Sequence, residues 1–268
     1  MTDTRVVEPI LVTVAEPPPH REKGALKALR HYSVRPVVLA LVILALLRYL
    51  ALSHLDSIDR RSLQWSVVRV EIVQQLTLTV VSSAVVTVLA VGLGIALTRR
   101  RNRLLSTSVN AVATLGQAAP PIGLMILAAL LIGVGARTAI YALILYSALP
   151  VLRNTVAGIS GLDKTILEAA RGIGMHPLRV LATVEMPLAV PVILAGIRTA
   201  IILNVGTAAL ATFINGGGLG TLITTGIAVD RTPIIVTGSV LVAVFALLLD
   251  WAVALLGELL SPRSLVSL

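Results

Sequence analysis

Six apolar runs, at 36–52, 76–98, 109–133, 138–152, 188–214 and 233–256, leave this chain little freedom in what it can fold into. Most are long enough for the roughly 20 residues that a helix needs to cross a bilayer core. In hydrocarbon every backbone N–H and C=O must find its partner inside the protein, which suits such runs to helices. An all-α, polytopic membrane fold of about six transmembrane helices is therefore expected. The run at 138–152 is short, so its ends are the least defined.

Composition agrees with that solvent. Hydrophobic residues make up 56% of the 268, charged residues 13%, and the mean hydropathy is +0.95. Soluble domains carry about 25% charged residues, so a water-soluble globule could not hide this much apolar surface. Aromatics are only 3%, which suits helices packed through small residues. It suits neither base stacking nor an aromatic cage for a cation. Cysteine is absent, which excludes disulfides and thiolate-bound metals. The four histidines are scattered without metal-ligand spacing.

The net charge of +9 could suggest nucleic acid, but the basic residues sit mainly between the apolar runs, where they encode topology. With the N-terminus inside, the inner segments 1–35, 99–108, 153–187 and 257–268 hold 15 Lys and Arg. The outer segments 53–75, 134–137 and 215–232 hold 5. That bias puts both termini in the cytoplasm. Four regions follow. Residues 1–35, with Pro17-Pro18-Pro19, read as a flexible cytoplasmic extension with a short amphipathic helix near 23–30. Residues 36–70 form the first transmembrane helix and an outer connector. Residues 71–260 form the main transmembrane domain, and 261–268 a cytoplasmic tail. A signal peptide is the competing reading of the first run, since Ala51-Leu52-Ser53 resembles a cleavage site; Arg48 and the long mixed-charge leader favour a retained helix.

The inner loop 153–187 is the most patterned polar stretch. Asp163 is a good N-cap, and Thr165 with Glu168 has capping-box spacing as an alternative start. Ile166, Leu167, Ala170 and Ile173 recur at helical spacing. Gly172 and Gly174 end that helix, and Pro177 suits the first turn of a second. Pro187 marks the start of the fifth membrane helix. Two short helices joined by a glycine turn are expected at the inner surface. By pattern alone they could be an amphipathic connector resting on headgroups.

Glu168-Ala169-Ala170, Gly174 after three residues, and Val184-Glu185-Met186-Pro187 after nine more resemble the EAA motif of type I ABC importer permeases. Val184 and Met186 replace the usual aliphatic pair. The resemblance covers about 71–260 and is closest to the osmoprotectant branch, permeases for glycine betaine, choline, carnitine and similar solutes. Ala148-Leu149-Pro150-Val151-Leu152-Arg153-Asn154-Thr155, Gly196-Ile197-Arg198-Thr199-Ala200, Gly206-Thr207-Ala208-Ala209-Leu210 and Phe213-Ile214-Asn215-Gly216-Gly217-Gly218-Leu219-Gly220 carry it. It implies that the loop is a coupling helix seated in a groove of a cytoplasmic ATPase dimer, through Asp163, Glu168, Ala169, Ala170, Arg171, Gly174 and Pro187. It also implies a second permease copy, identical or related, and a separate solute-binding protein carrying most of the selectivity. The chain ends soon after the sixth helix, so no fused binding domain is expected.

Polar residues at membrane depth need partners. Arg198 and Asp250 lie at similar depth on the fifth and sixth helices and are expected to pair, with a structural role weighed ahead of a substrate contact. Gln117 with Pro120-Pro121 breaks the third helix; Asn204, Thr207 and Asn215 place polar groups along the fifth. These six are candidates for the translocation path, helix–helix hydrogen bonding being the alternative. Gly216, Gly217, Gly218 and Gly220 read as an outer loop, without the strand and Lys of a phosphate-binding loop. With no nucleotide-binding motif and no catalytic constellation, the expectation is a non-enzymatic, cofactor-free transport subunit of the bacterial inner membrane, with no nucleic-acid partner. The rivals are an ABC permease for methionine or another small solute, a nucleotide-independent carrier or channel, and a membrane scaffold.

Overall fold

The computed structural model describes residues 22–99 and 103–260. The first 21 residues of the expected extension, residues 100–102 of the basic inner segment and the expected tail 261–268 lie outside them. Every regular element among the described residues is helical: α1 (Glu22–Leu52), α2 (Ser57–Ser62), α3 (Trp65–Arg99), α4 (Arg103–Ala118), α5 (Pro121–Ile132), α6 (Ala136–Ser160), α7 (Lys164–Gly172), α8 (Pro177–Val180), α9 (Met186–Ala208), α10 (Gly220–Ala228) and α11 (Thr232–Leu260). A π turn, Leu181–Glu185, joins α8 to α9, and a 3-10 segment, Ala209–Ile214, follows α9.

Four stretches are long and apolar enough to cross a membrane: Trp65–Arg99, Ala136–Ser160, Pro177–Ile214 and Thr232–Leu256. The run at 109–133 is not one straight helix. It is a pair of half-helices, Thr107–Ala118 and Pro121–Ile132, bent by 109°. Pro120 lies extended at ψ 129° because the ring of Pro121 disfavours helical geometry before it, and neither proline offers an N–H. The first run is the shorter apolar segment Pro36–Leu52 within α1. The fourth continues eight residues past its expected end at 152, as far as Ser160. Its polar side chains fold back on their own helix: Asn154 Nδ2 donates to the Pro150 carbonyl (2.8 Å) and Thr155 Oγ1 to that of Val151 (2.7 Å).

α6 lies at the centre, packed against α3, α9, α4 and α5. Small residues set how closely the helices approach. A Cβ on Gly196 would sit 2.6 Å from the Asn154 Cβ and 2.7 Å from the Pro150 carbonyl oxygen, so glycine is what lets α9 close on α6. Ala139, Ala142, Ala208 and Ala211 do the same around Leu78, Met125, Leu143 and Ile214 in the largest buried cluster.

The segment after α9 differs from the expected outer loop. It turns sharply through Asn215, Gly217 and Gly218, at φ 57°, 74° and 96°, and then forms α10, which packs on α11. Gly218, Leu219 and Gly220 are buried. A Cβ on Gly220 would fall 1.7 Å from the Ala209 carbonyl oxygen. The glycines therefore build a tightly folded turn rather than an open loop.

Candidate functional site

The loop expected on the inner side folds as a short capped helix. Asp163 Oδ1 accepts the Thr165 backbone N–H at 2.8 Å, starting α7. That bond, then the Thr165 hydroxyl, holds the Asp163 carboxyl below its ordinary range. The Thr165/Glu168 start is not used. α7 ends at Gly172, with Ile173 as its cap and Gly174 at φ +81°. Gly174 N–H donates to the Arg171 carbonyl (2.9 Å) and Met175 N–H to that of Ala170 (3.3 Å). His176 then caps α8, its Nδ1 accepting from the Leu178 N–H at 3.4 Å, and Pro177 occupies the first turn.

α7 packs on α8 and the π turn. Ala170 is buried there and Leu167 half-buried, whereas Glu168, Ala169, Arg171 and Gly174 are exposed. The expected apolar stripe divides accordingly. Ile166 and Ile173 face outward, Ile173 with 80% exposure, and Leu178 on α8 is uncovered as well. A turn with Gly174 at φ +81°, exposed Glu168 and Arg171 and three exposed aliphatic side chains is suited to contact with another protein.

The second short helix is not separate from the fifth apolar helix. α8, the π turn and α9 run on as one rod, Pro177–Ile214. Pro187, in the first turn of α9, explains the π turn: it has no N–H for the Thr183 carbonyl and its ring crowds that oxygen, so the preceding turn widens. The widening also sets the register. Val180, Glu185, Ala189, Ile193, Gly196, Ala200 and Asn204 are all buried, with a step of five across the π turn and steps of three or four beyond it. Glu185 thereby faces inward and pairs with Arg99 at the end of α3. Sequence reasoning missed this pair: Arg99 was counted only towards topology, and Glu185 stood at the motif's variable position. The available signal was an acidic residue inside the apolar spacing.

The candidate residues at membrane depth separate into three places. Arg198 and Asp250 are joined by two hydrogen bonds, Nε to Oδ1 and Nη2 to Oδ2, the latter at 2.7 Å. Their side chains are 39% and 13% exposed. Asn204 is fully buried in the seam between α3 and α9, its Nδ2 donating to the hydroxyls of Ser82 and Ser83, both at 3.1 Å. Thr207 is buried one turn further on. This geometry gives Asn204 the helix–helix alternative. Gln117, half-buried, and Pro120 and Pro121 stand at the bend between α4 and α5. Asn215 is exposed and lines a cleft of about 320 Å³ with Gln74, Thr77, Gly216 and Gly217.

Two glutamines were also missed. Gln75, fully buried, donates to the Val205 carbonyl (2.9 Å) and accepts the Leu219 N–H (3.2 Å). Gln74 Oε1 accepts the Gly218 N–H at 2.9 Å. Together they clamp the glycine turn to α3. Two adjacent amides within an apolar helix were the visible clue.

Comparison with known proteins agrees with this architecture. Residues 89–264 match the family described as binding-protein-dependent transport system inner membrane component. The choline transport system permease protein OpuBB of Bacillus subtilis is 38% identical over 192 residues, covering 72% of this chain and 88% of that protein. The glycine betaine/carnitine/choline permease protein OpuCB of the same organism is 40% identical over 66% of this chain and 81% of its own length. The osmoprotectant import permease protein OsmY of Salmonella typhimurium is 42% identical over 64% and 72%. Among solved structures, an inward-facing MetNI methionine ABC transporter superposes with TM-score 0.65 at 23% identity, over 74% of this chain and 98% of that one; this likeness concerns the fold. A chain matched over most of its length by this family, with its helical core and its EAA spacing, belongs to the binding-protein-dependent inner-membrane permeases of ABC importers.

Proposed function

We propose that this permease imports a quaternary-ammonium osmoprotectant such as glycine betaine, choline or carnitine, driven by a separate ATPase. The observation that carries the mechanism is the capped turn of α7, in which Asp163, Glu168, Ala169, Arg171 and Gly174 are exposed around a buried Ala170. The relatives named for choline, carnitine and glycine betaine support the solute class. α7 seats in a groove of an ATPase dimer, with Glu168 and Arg171 bridging to it. Because α8 continues into α9, closure of the dimer acts on the membrane helices as a rigid-body push.

In this reading both termini are cytoplasmic, residues 71–260 form the transport domain, and two permease copies enclose the path. A separate solute-binding protein delivers the cargo. Asn215 and the bend at Gln117, Pro120 and Pro121 border the path, while Asn204 and Thr207 hold its wall together. Arg198 and Asp250 brace α9 against α11.

The test is uptake of glycine betaine, choline, carnitine and methionine by proteoliposomes holding the permease, its ATPase and its binding protein. ATP-dependent uptake of at least one quaternary-ammonium solute, without methionine uptake, is expected. Methionine uptake alone would move the chain to the methionine-type reading, and flux without the ATPase would make it a carrier or channel. Gly174→Asp should insert normally yet fail to co-purify with the ATPase; normal co-purification would refute the docking assignment.

A further inference from the structure

We propose that the Arg99–Glu185 ion pair is the joint that makes α3 move with the coupling loop, so that both are positioning residues for ATP-driven import. The inference rests on the docking of α7 to an ATPase and goes beyond it, because that docking explains only how α8 and α9 receive the push. α3 belongs to neither the loop nor its rod.

Three observations carry it. The Glu185 side chain is 2% exposed and its charge is met by Arg99, whose side chain is 36% exposed. A carboxylate at that depth needs its partner, so the contact resists opening. Next, Glu185 faces α3 only because the π turn adds a residue to the buried register between Val180 and Ala189. Such turns recur at functional positions. Finally, α3 is fastened to α9 again further along, by Ser82 and Ser83 on Asn204 and by Gln75 on the Val205 carbonyl. The same α3 clamps the glycine turn through Gln74 and Gln75. A displacement of the coupling loop is thus carried through Glu185 and Arg99 into α3, and along α3 to the turn beside the Asn215 cleft.

The experiment uses the complete reconstituted complex and measures ATPase co-purification, ATP hydrolysis and solute taken up per ATP. The variants are Arg99→Gln, Glu185→Gln, both together, Arg99→Lys, and the exchange Arg99→Glu with Glu185→Arg. The double neutral variant holds no buried unpaired charge, so it assembles even where Arg99→Gln does not. It is expected to bind ATPase and hydrolyse ATP within about twofold of the unmodified complex, while solute per ATP falls about tenfold. Arg99→Gln should be impaired more than Glu185→Gln, because it strands the more buried charge. Arg99→Lys, and the exchange if it assembles, should recover at least about half of the lost uptake. Unchanged solute per ATP in the double neutral variant would overturn the inference. So would a parallel fall in assembly, hydrolysis and uptake, the mark of a merely structural contact. If the unmodified permease does not bind the ATPase at all, the docking reading itself fails, and that is seen before any substitution is made.

Discussion

Separating Arg198 from Asp250 is a quantitative test of how this bundle holds its charges. The pair is doubly hydrogen-bonded, with Asp250 at 13% and Arg198 at 39% side-chain exposure. Breaking a fully buried pair by removing one partner costs about 3–5 kcal/mol, whereas exposed pairs couple by about 0.2–1 kcal/mol. With one partner more than a third exposed, an intermediate coupling of roughly 1.5–3 kcal/mol follows, or about 10- to 150-fold in the unfolding equilibrium. Arg198→Gln should be the more damaging single change, since it leaves the more buried carboxylate without its guanidinium. Arg198→Gln with Asp250→Asn should be milder than Arg198→Gln alone. Trp251, adjacent to Asp250 and one of two tryptophans, reports unfolding by fluorescence in mixed micelles of mild detergent and SDS once Trp65 is replaced by Phe. Additivity of the two single effects within about 0.5 kcal/mol would refute the reasoning.

Gly220→Ala should cost about 3 kcal/mol or more, because its Cβ would overlap the Ala209 carbonyl at 1.7 Å. Gly92→Ala, with nothing within 4 Å of its Cβ, should be neutral or slightly stabilising; equal losses in the same unfolding assay would remove the packing argument. Gly174→Ala should strain the loop by about 1–2 kcal/mol through its φ of +81° alone, and should weaken ATPase association less than Gly174→Asp in a pull-down. Gln75→Leu leaves the Leu219 N–H without its acceptor and should cost about 1–2 kcal/mol, read as faster hydrogen exchange in the glycine turn. Asp56 caps α2, and its carboxyl is held below the ordinary value chiefly by the Asp59 N–H, then by the Ile58 N–H and by Arg231, whose Nη2 lies 2.7 Å away. A depressed carboxyl stabilises the fold above its unfolded value and ceases to do so as pH falls through the folded one. Proteolysis of the α2 region should therefore be flat from pH 7 to about 5 and rise below about 4; a change near neutrality would contradict the cap.

Much of this protein is determined by local sequence, and the parts that are not share a physical cause. Uninterrupted apolar runs require helices, because hydrocarbon offers no other partner to the backbone. Asp163, Gly174 and Pro177 set the ends of α7 and α8 through the chain's own donors and dihedrals, and all of that could be read in order along the chain. The break of 109–133 at Pro120-Pro121 is local in the same way, and so are the bonds of Asn154 and Thr155 to carbonyls four residues back as α6 runs on to Ser160. What tertiary structure decided is which face each helix turns inward and which distant side chains meet there. The π turn before Pro187 rotates Glu185 onto Arg99, 86 residues away, and Gln75 reaches Val205 across 130 residues. Those partners are distant in sequence and close only after packing, so hydropathy and spacing hold no record of them. The residues proposed to touch an ATPase are legible in one segment; those proposed to carry its push across the bundle come together only in the fold.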